Sequence, residues 1–195
     1  MLFIYATFII AVSLVYGQKP CCVQTQWEGQ LSMSTGIQVS GMAIASFAYY
    51  NFSYNYDSKL VALRGVTIST DNVKTNVRLI QNYNENIDYY INLHNNTCSK
   101  QMTSIKLMQC IPAHYVHSFM YGYGDKVIPG HTWFFQAPQY NIYATVSGDG
   151  KCIPFTETVI MGTPMPMIST MTYTDFMPGI KDPSVFVIPD ICKRL

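Results

Sequence analysis

Six cysteines, Cys21, Cys22, Cys98, Cys110, Cys152 and Cys192, carry the clearest chemistry in this chain of 195 residues. An even count favours disulfides over free thiols wherever the compartment is oxidising. Zinc fits poorly, because the one close pair is adjacent Cys21-Cys22 rather than two sulfurs spaced to meet one tetrahedral ion. Side chains of neighbouring cysteines diverge, so each is expected to reach a distant partner, and the residues alone leave the pairing open. His114 and His117 would share a metal if a turn joined them, but no acidic neighbour stands near, and turn histidines are the plainer reading. Glu28, Asp57, Glu85, Asp88 and Glu157 supply carboxylates without a spacing that fixes any pair for acid–base work. There is no G-x-S-x-G elbow, phosphate loop, H-E-x-x-H pair or dinucleotide fingerprint. The expectation is therefore a protein that is not an enzyme.

The composition sets what must position these residues. Hydrophobic residues make up 49% and charged residues 12%, with a formal net charge of +1. Disorder and a polyanion-binding field are both disfavoured, so no nucleic-acid partner is expected. Part of the apolarity lies in residues 1–17, an uncharged run ending in Val15-Tyr16-Gly17 that reads as a cleaved secretory signal. Met1 to Tyr16 falls short of the roughly 20 residues that span a bilayer. A mature, exported chain over residues 18–195 is expected, not a transmembrane one. Its sequons, Asn51-Phe52-Ser53 and Asn95-Asn96-Thr97, mark Asn51 and Asn95 as glycosylation candidates, with Asn96 a poor third.

The apolar period is mostly two, as in strands that bury one face. Met42, Ile44, Ser46, Ala48, Tyr50, Phe52, Tyr54 and Tyr56 share alternate positions and predict one long aromatic-faced strand. Leu60–Ile68, Val77–Leu79, Ile87–Leu93, Thr132–Gln136, Ile142–Val146 and Cys152–Met161 continue the pattern between turn-forming stretches. Ser147-Gly148-Asp149-Gly150 is a hairpin turn. Short helices are expected, if anywhere, at Thr103–Gln109 or Ile168–Phe176, because Pro178, Pro183 and Pro189 spoil the C-terminal third for helix. No linker or repeat divides the chain, so a single all-β domain is predicted.

Several short motifs, in order, carry a resemblance. They are Cys21-Cys22 followed by Gln26-Trp27-Glu28-Gly29, Tyr56-Asp57 with Arg64 after it, and Cys98 after a Tyr-rich strand. Gly150-Lys151-Cys152-Ile153-Pro154 and Asp182-Pro183-Ser184-Val185-Phe186-Val187-Ile188-Pro189 before Cys192 complete the set. Together they span Cys21 to Cys192 and resemble the ependymins and ependymin-related proteins. The resemblance implies a secreted, often glycosylated protein of extracellular fluid or matrix, linked to calcium and cell adhesion and often a homodimer. It also implies a curved antiparallel sheet folded into a half-open barrel with a deep apolar pocket, similar to bacterial lipoprotein carriers. By the same resemblance Cys98 pairs with Cys192, leaving Cys21 and Cys22 for Cys110 and Cys152 in either order. Calcium is the candidate cofactor, although no calcium-loop motif is present and the metal ligands are unassigned.

The resulting expectation is a binding protein whose concave face takes a lipid or other hydrophobic ligand. Tyr50, Phe52, Tyr54, Tyr56, Leu79, Tyr89 and Ile91 are the expected lining. Trp27, Asp57, Arg64 and Pro183 are expected to serve the fold: Trp27 anchors the first strand, and Asp57 accepts from Arg64. The alternative is a structural matrix protein without a functional pocket.

Overall fold

The computed structural model describes residues 20–103, 106–111, 114–163 and 165–194. The expected signal at residues 1–17 lies outside them. Eleven strands form one antiparallel sheet: β1 (Gln26–Val39), β2 (Met42–Asn55), β3 (Leu60–Ile68), β4 (Lys74–Asn82), β5 (Ile87–Asn92), β6 (Thr97–Met102), β7 (His114–Tyr123), β8 (Lys126–Gln136), β9 (Tyr140–Ser147), β10 (Pro154–Met161) and β11 (Met167–Pro178). The order is β6-β5-β4-β3-β2-β1-β11-β10-β9-β8-β7. Two meanders, β1 to β6 and β7 to β11, are thus joined edge to edge by the β1–β11 pairing, and β6 and β7 are the free edges.

Local chemistry explains the hairpins. Ser40 and Gly41 both take positive φ, 51° and 82°, between the paired residues Val39 and Met42. That is the two-residue turn whose twist suits flanking strands. Gly65 serves another purpose: a Cβ there would sit 2.0 Å from the Tyr49 carbonyl oxygen, so β2 and β3 approach closely only because it has none. Gly29 adjoins the register shift between Glu28 and Gln30, where a Cβ would come within 2.8 Å of the Thr174 oxygen.

The strands bury one face against the other half of the same sheet. Trp27, Leu31, Tyr50, Phe52, Tyr54, Val61, Leu63 and Val77 form the largest buried cluster, on the concave side. Trp27 is at its centre, with ring centroids 4.6 Å from Phe52 and 5.1 Å from Phe176. The outer end of the β1–β2 hairpin runs past this core, leaving Met42 65% exposed.

The C-terminal segment covers part of the convex face. A 3-10 turn (Pro183–Phe186), capped by the Asp182 side chain, leads to the one-turn helix α1 (Asp190–Lys193). Arg78 on β4 donates to the carbonyl oxygens of Ser184, Val185 and Val187 at 3.3, 2.8 and 2.8 Å. Ile80, Tyr89, Ile91 and Cys192 pack beneath the segment. Two expectations are corrected here. Residues 168–176 are strand β11, because β1 and β10 satisfy their backbone groups on both sides, and the described part of residues 103–109 holds no helix. His114 and His117 lie in edge strand β7 rather than a turn, and both are exposed.

Candidate functional site

The chain must travel from β6 at one edge of the sheet to β7 at the other, and in doing so it crosses the open mouth of the curve. Residues 106–111 are the described part of this strap. The Val23 amide donates to the Gln109 oxygen at 2.9 Å and the Ile111 amide to the Cys21 oxygen at 3.0 Å, so residues 21–23 run alongside it. Cys22 bonds to Cys110, and Cys21 bonds to Cys152 beside the β9–β10 turn. Tyr54 reaches up from β2 to donate to the Met108 oxygen at 2.8 Å. The strap is therefore tied at three points above the concave face.

Between strap and sheet lies a cavity of about 370 Å³, inside the range of roughly 300–1,000 Å³ usual for small-molecule sites. Its walls come from both halves of the sheet: Leu31, Phe52, Leu63 and Leu79 on one side, Trp133, Phe135 and Ile142 on the other. Leu107 and Ile111 roof it. Trp27 Nε1 and Trp133 Nε1 are buried without an acceptor among the described residues. Each such donor costs about 1–3 kcal/mol.

Two carboxylates, Asp88 and Glu157, stand among the polar groups in the wall. Asp88 accepts from Thr103 Oγ1 at 2.7 Å. Glu157 is half-buried and lines the cavity. It lies between Ala144 on β9 and Met171 on β11, and its carboxylate accepts from the Tyr173 hydroxyl at a long 3.5 Å. Burial pushes the Glu157 carboxyl above the usual range, while the Tyr173 hydrogen bond opposes the shift. Desolvation likewise raises the neighbouring phenols: Tyr50 is pushed up to about 12, and Tyr54, Tyr83 and Tyr173 also rise. Tyr83, from the other half of the sheet, is raised first by burial and then by the nearby carboxylates of Asp88 and Glu157.

Of the residues expected to line the pocket, Tyr50, Phe52, Tyr54 and Leu79 do so. Tyr89 and Ile91 do not. They point to the convex side, where Cys192 and Ile80 cover them, because Leu79 is registered with Tyr90 and Ile80 with Tyr89. Tyr56 sits in the β2–β3 turn, with Lys59 Nζ 3.0 Å above its ring, and does not reach the cavity. Asp57 accepts from Gln26 Nε2 at 3.2 Å rather than from Arg64, which lies further along β3 opposite Asn51 and Arg78. Cys98 bonds to Cys192, tying β6 to α1, and Pro183 opens the 3-10 turn. Asn51 is exposed on the convex side of β2, and Asn95 is exposed in the β5–β6 turn, where Thr97 Oγ1 donates to its side-chain oxygen at 2.7 Å. Among the described residues no three His, Cys, Asp or Glu side chains gather as a metal site.

In the sequence Glu157 stands out only as one of five scattered carboxylates, not as cavity lining, and nothing there points to the strap. Glu157 occupies an apolar alternate position in its strand, and that is the one signal available.

An open antiparallel sheet bent over a strapped cavity, pinned by three disulfides, defines a small disulfide-bonded β-protein. A model of the family described as Ependymin matches residues 71–192, and the chain belongs to that family. Ependymin-related protein 1 of Haliotis asinina is 27% identical over 201 aligned residues, covering 96% of this chain and 97% of the relative. Ependymin-related protein 2 of the same animal is 27% identical over 135 residues, covering 63% and 67%. Among solved structures, a LolA superfamily protein from Nitrosomonas europaea overlays with a TM-score of 0.39 at 6% identity, covering 85% of this chain and 91% of that one. A DUF1329 family protein from Desulfovibrio piger gives 0.36 at 8%, covering 84% and 90%.

Proposed function

We propose that this protein is a secreted, non-enzymatic binder of a lipid or other hydrophobic molecule, held in the cavity between the concave sheet and the strap. One observation carries the reading: about 370 Å³ beneath the strap stays unfilled although large apolar side chains surround it. Burying a ligand's apolar surface in this partly open cleft would contribute roughly 25 cal/mol per Å². A glycosylated surface at Asn51 and Asn95 is part of the same proposal. Calcium dependence, matrix adhesion and a homodimer are proposed on family membership alone. Sedimentation of the purified protein with and without calcium checks the metal and the dimer together.

The test of the cavity is uptake of a neutral, environment-sensitive dye such as Nile red. Saturable uptake by the wild type, weakened at least about tenfold in Ala144→Trp, is the expected outcome, since the indole would occupy the space beside Ala144. Absence of saturable uptake by the wild type would favour the structural matrix reading.

A further inference from the structure

Glu157 is an unusual residue to find in such a wall. It occupies the centre of β10 on the concave face, where Met171 and Ala144 are its cross-strand neighbours. One carboxylate oxygen receives the long 3.5 Å bond from Tyr173, and the other has no partner among the described residues. A leucine or methionine would fill this position without the several kcal/mol needed to bury an ion. Tyr173 lies beside it, further aromatic side chains line the same cavity, and among the described residues the one base in the lining is Lys106, exposed on the strap. The other acid, Asp88, already has a hydroxyl partner in Thr103.

We infer that the cavity selects amphiphiles carrying a protonated amine, with the ammonium seated against the free oxygen of Glu157 and the chain along the apolar wall. The inference rests on the cavity being a ligand site. An ammonium is a compact cation with several N–H donors, and a charge-assisted bond to a desolvated carboxylate is about twice as strong as a neutral one. Aromatic faces add attraction for a cation. An alcohol would make the hydrogen bond without the charge. A fatty acid would bring a further negative charge to a wall that already holds Glu157 and Asp88.

The test compares decylamine, decanol and decanoic acid, each displacing Nile red at neutral pH from the full disulfide-bonded protein and from Glu157→Gln. The wild type is expected to bind the amine on the order of tenfold more tightly than the alcohol, with the acid weakest. In Glu157→Gln the ratio of amine to alcohol should fall to within about threefold of one. Decanol binding with no preference for the amine, or a preference that survives Glu157→Gln, overturns this inference and leaves the cavity reading standing. Decanol failing to displace the dye from the wild type overturns the cavity reading as well.

A second measurement needs no variant. Decylamine stays protonated up to about pH 9, as a lysine ammonium does, so its affinity should rise with pH as Glu157 ionises. The other titratable or charged groups facing the cavity are Tyr50 and Tyr54 on β2, Tyr83 after β4, Asp88 on β5, Lys106 on the strap and Tyr173 on β11. The four phenols are shifted upward by burial and stay neutral between about pH 5 and pH 9. A flat profile over that range, or one that falls with pH, would overturn the assignment.

Discussion

Burial of Glu157 makes its contribution to stability depend on pH, with a sign that follows from the direction of its shift. The folded state holds the Glu157 proton more tightly than the unfolded chain, where the carboxyl titrates at about 4.3. The stability associated with the bound proton is therefore full below that value and is lost as pH rises through the raised folded value. Glu157→Gln removes a charge that must be desolvated. Its melting temperature is expected to exceed that of the wild type more at pH 8 than at pH 5, measured by thermal unfolding without ligand. Equal gains at both pH values would mean that Glu157 is not titrating in the folded protein over this range.

At the scale of elements, the strap roofs the cavity with residues 106–111. It has few backbone partners of its own, and its described ties are the bonds to residues 21–23, the Tyr54 hydroxyl and the Cys22–Cys110 disulfide. Closing a loop across 88 residues removes on the order of 4 kcal/mol of unfolded-chain entropy in the loop model. With both cysteines changed to serine, amide exchange at residues 107–111 should quicken markedly, while β2 and β3 keep their protection. Unchanged exchange in the strap would show that its hydrogen bonds hold it without the disulfide. The C-terminal segment is the counterpart on the convex side, where Cys98–Cys192 and Arg78 hold it over Tyr89 and Ile91. Burial and then the neighbouring Arg64 lower the Arg78 pKa, yet three carbonyl oxygens receive its protons.

For the whole molecule, three disulfides connect parts that the sheet alone would leave loosely joined. They tie the N-terminal segment to the strap and to β10's leading turn, and the C-terminal helix to an edge strand. Cys21, Cys22, Cys98, Cys110, Cys152 and Cys192 are all bonded. Iodoacetamide added to the guanidine-denatured, unreduced protein is expected to add no mass. Labelling of two or more cysteines would contradict this framework. Few ion pairs support the surface: among the described residues they are Lys151–Asp149 and Lys193–Asp190, both exposed and worth little.

Period-two alternation of apolar residues was enough to specify strands, because a half-buried sheet demands that pattern. The β2 and β3 boundaries, the Ser147–Gly150 turn and the aromatic side of β2 could all be read directly. Alternation does not say which face is concave or how neighbouring strands are registered. Leu79 and Tyr89 both looked like lining, yet the four-residue turn at 83–86 sets Tyr90 opposite Leu79 and sends Tyr89 to the other side. A shift of one residue reverses every side chain, so register had to come from the folded chain. The same holds for Glu157, ordinary in sequence and set apart only when the two halves of the sheet closed around it. Sequence determined that these residues form a one-sided β-sheet, and tertiary structure decided what that side encloses. The physical reason is that local conformation fixes alternation, whereas a cavity exists only where residues distant along the chain meet.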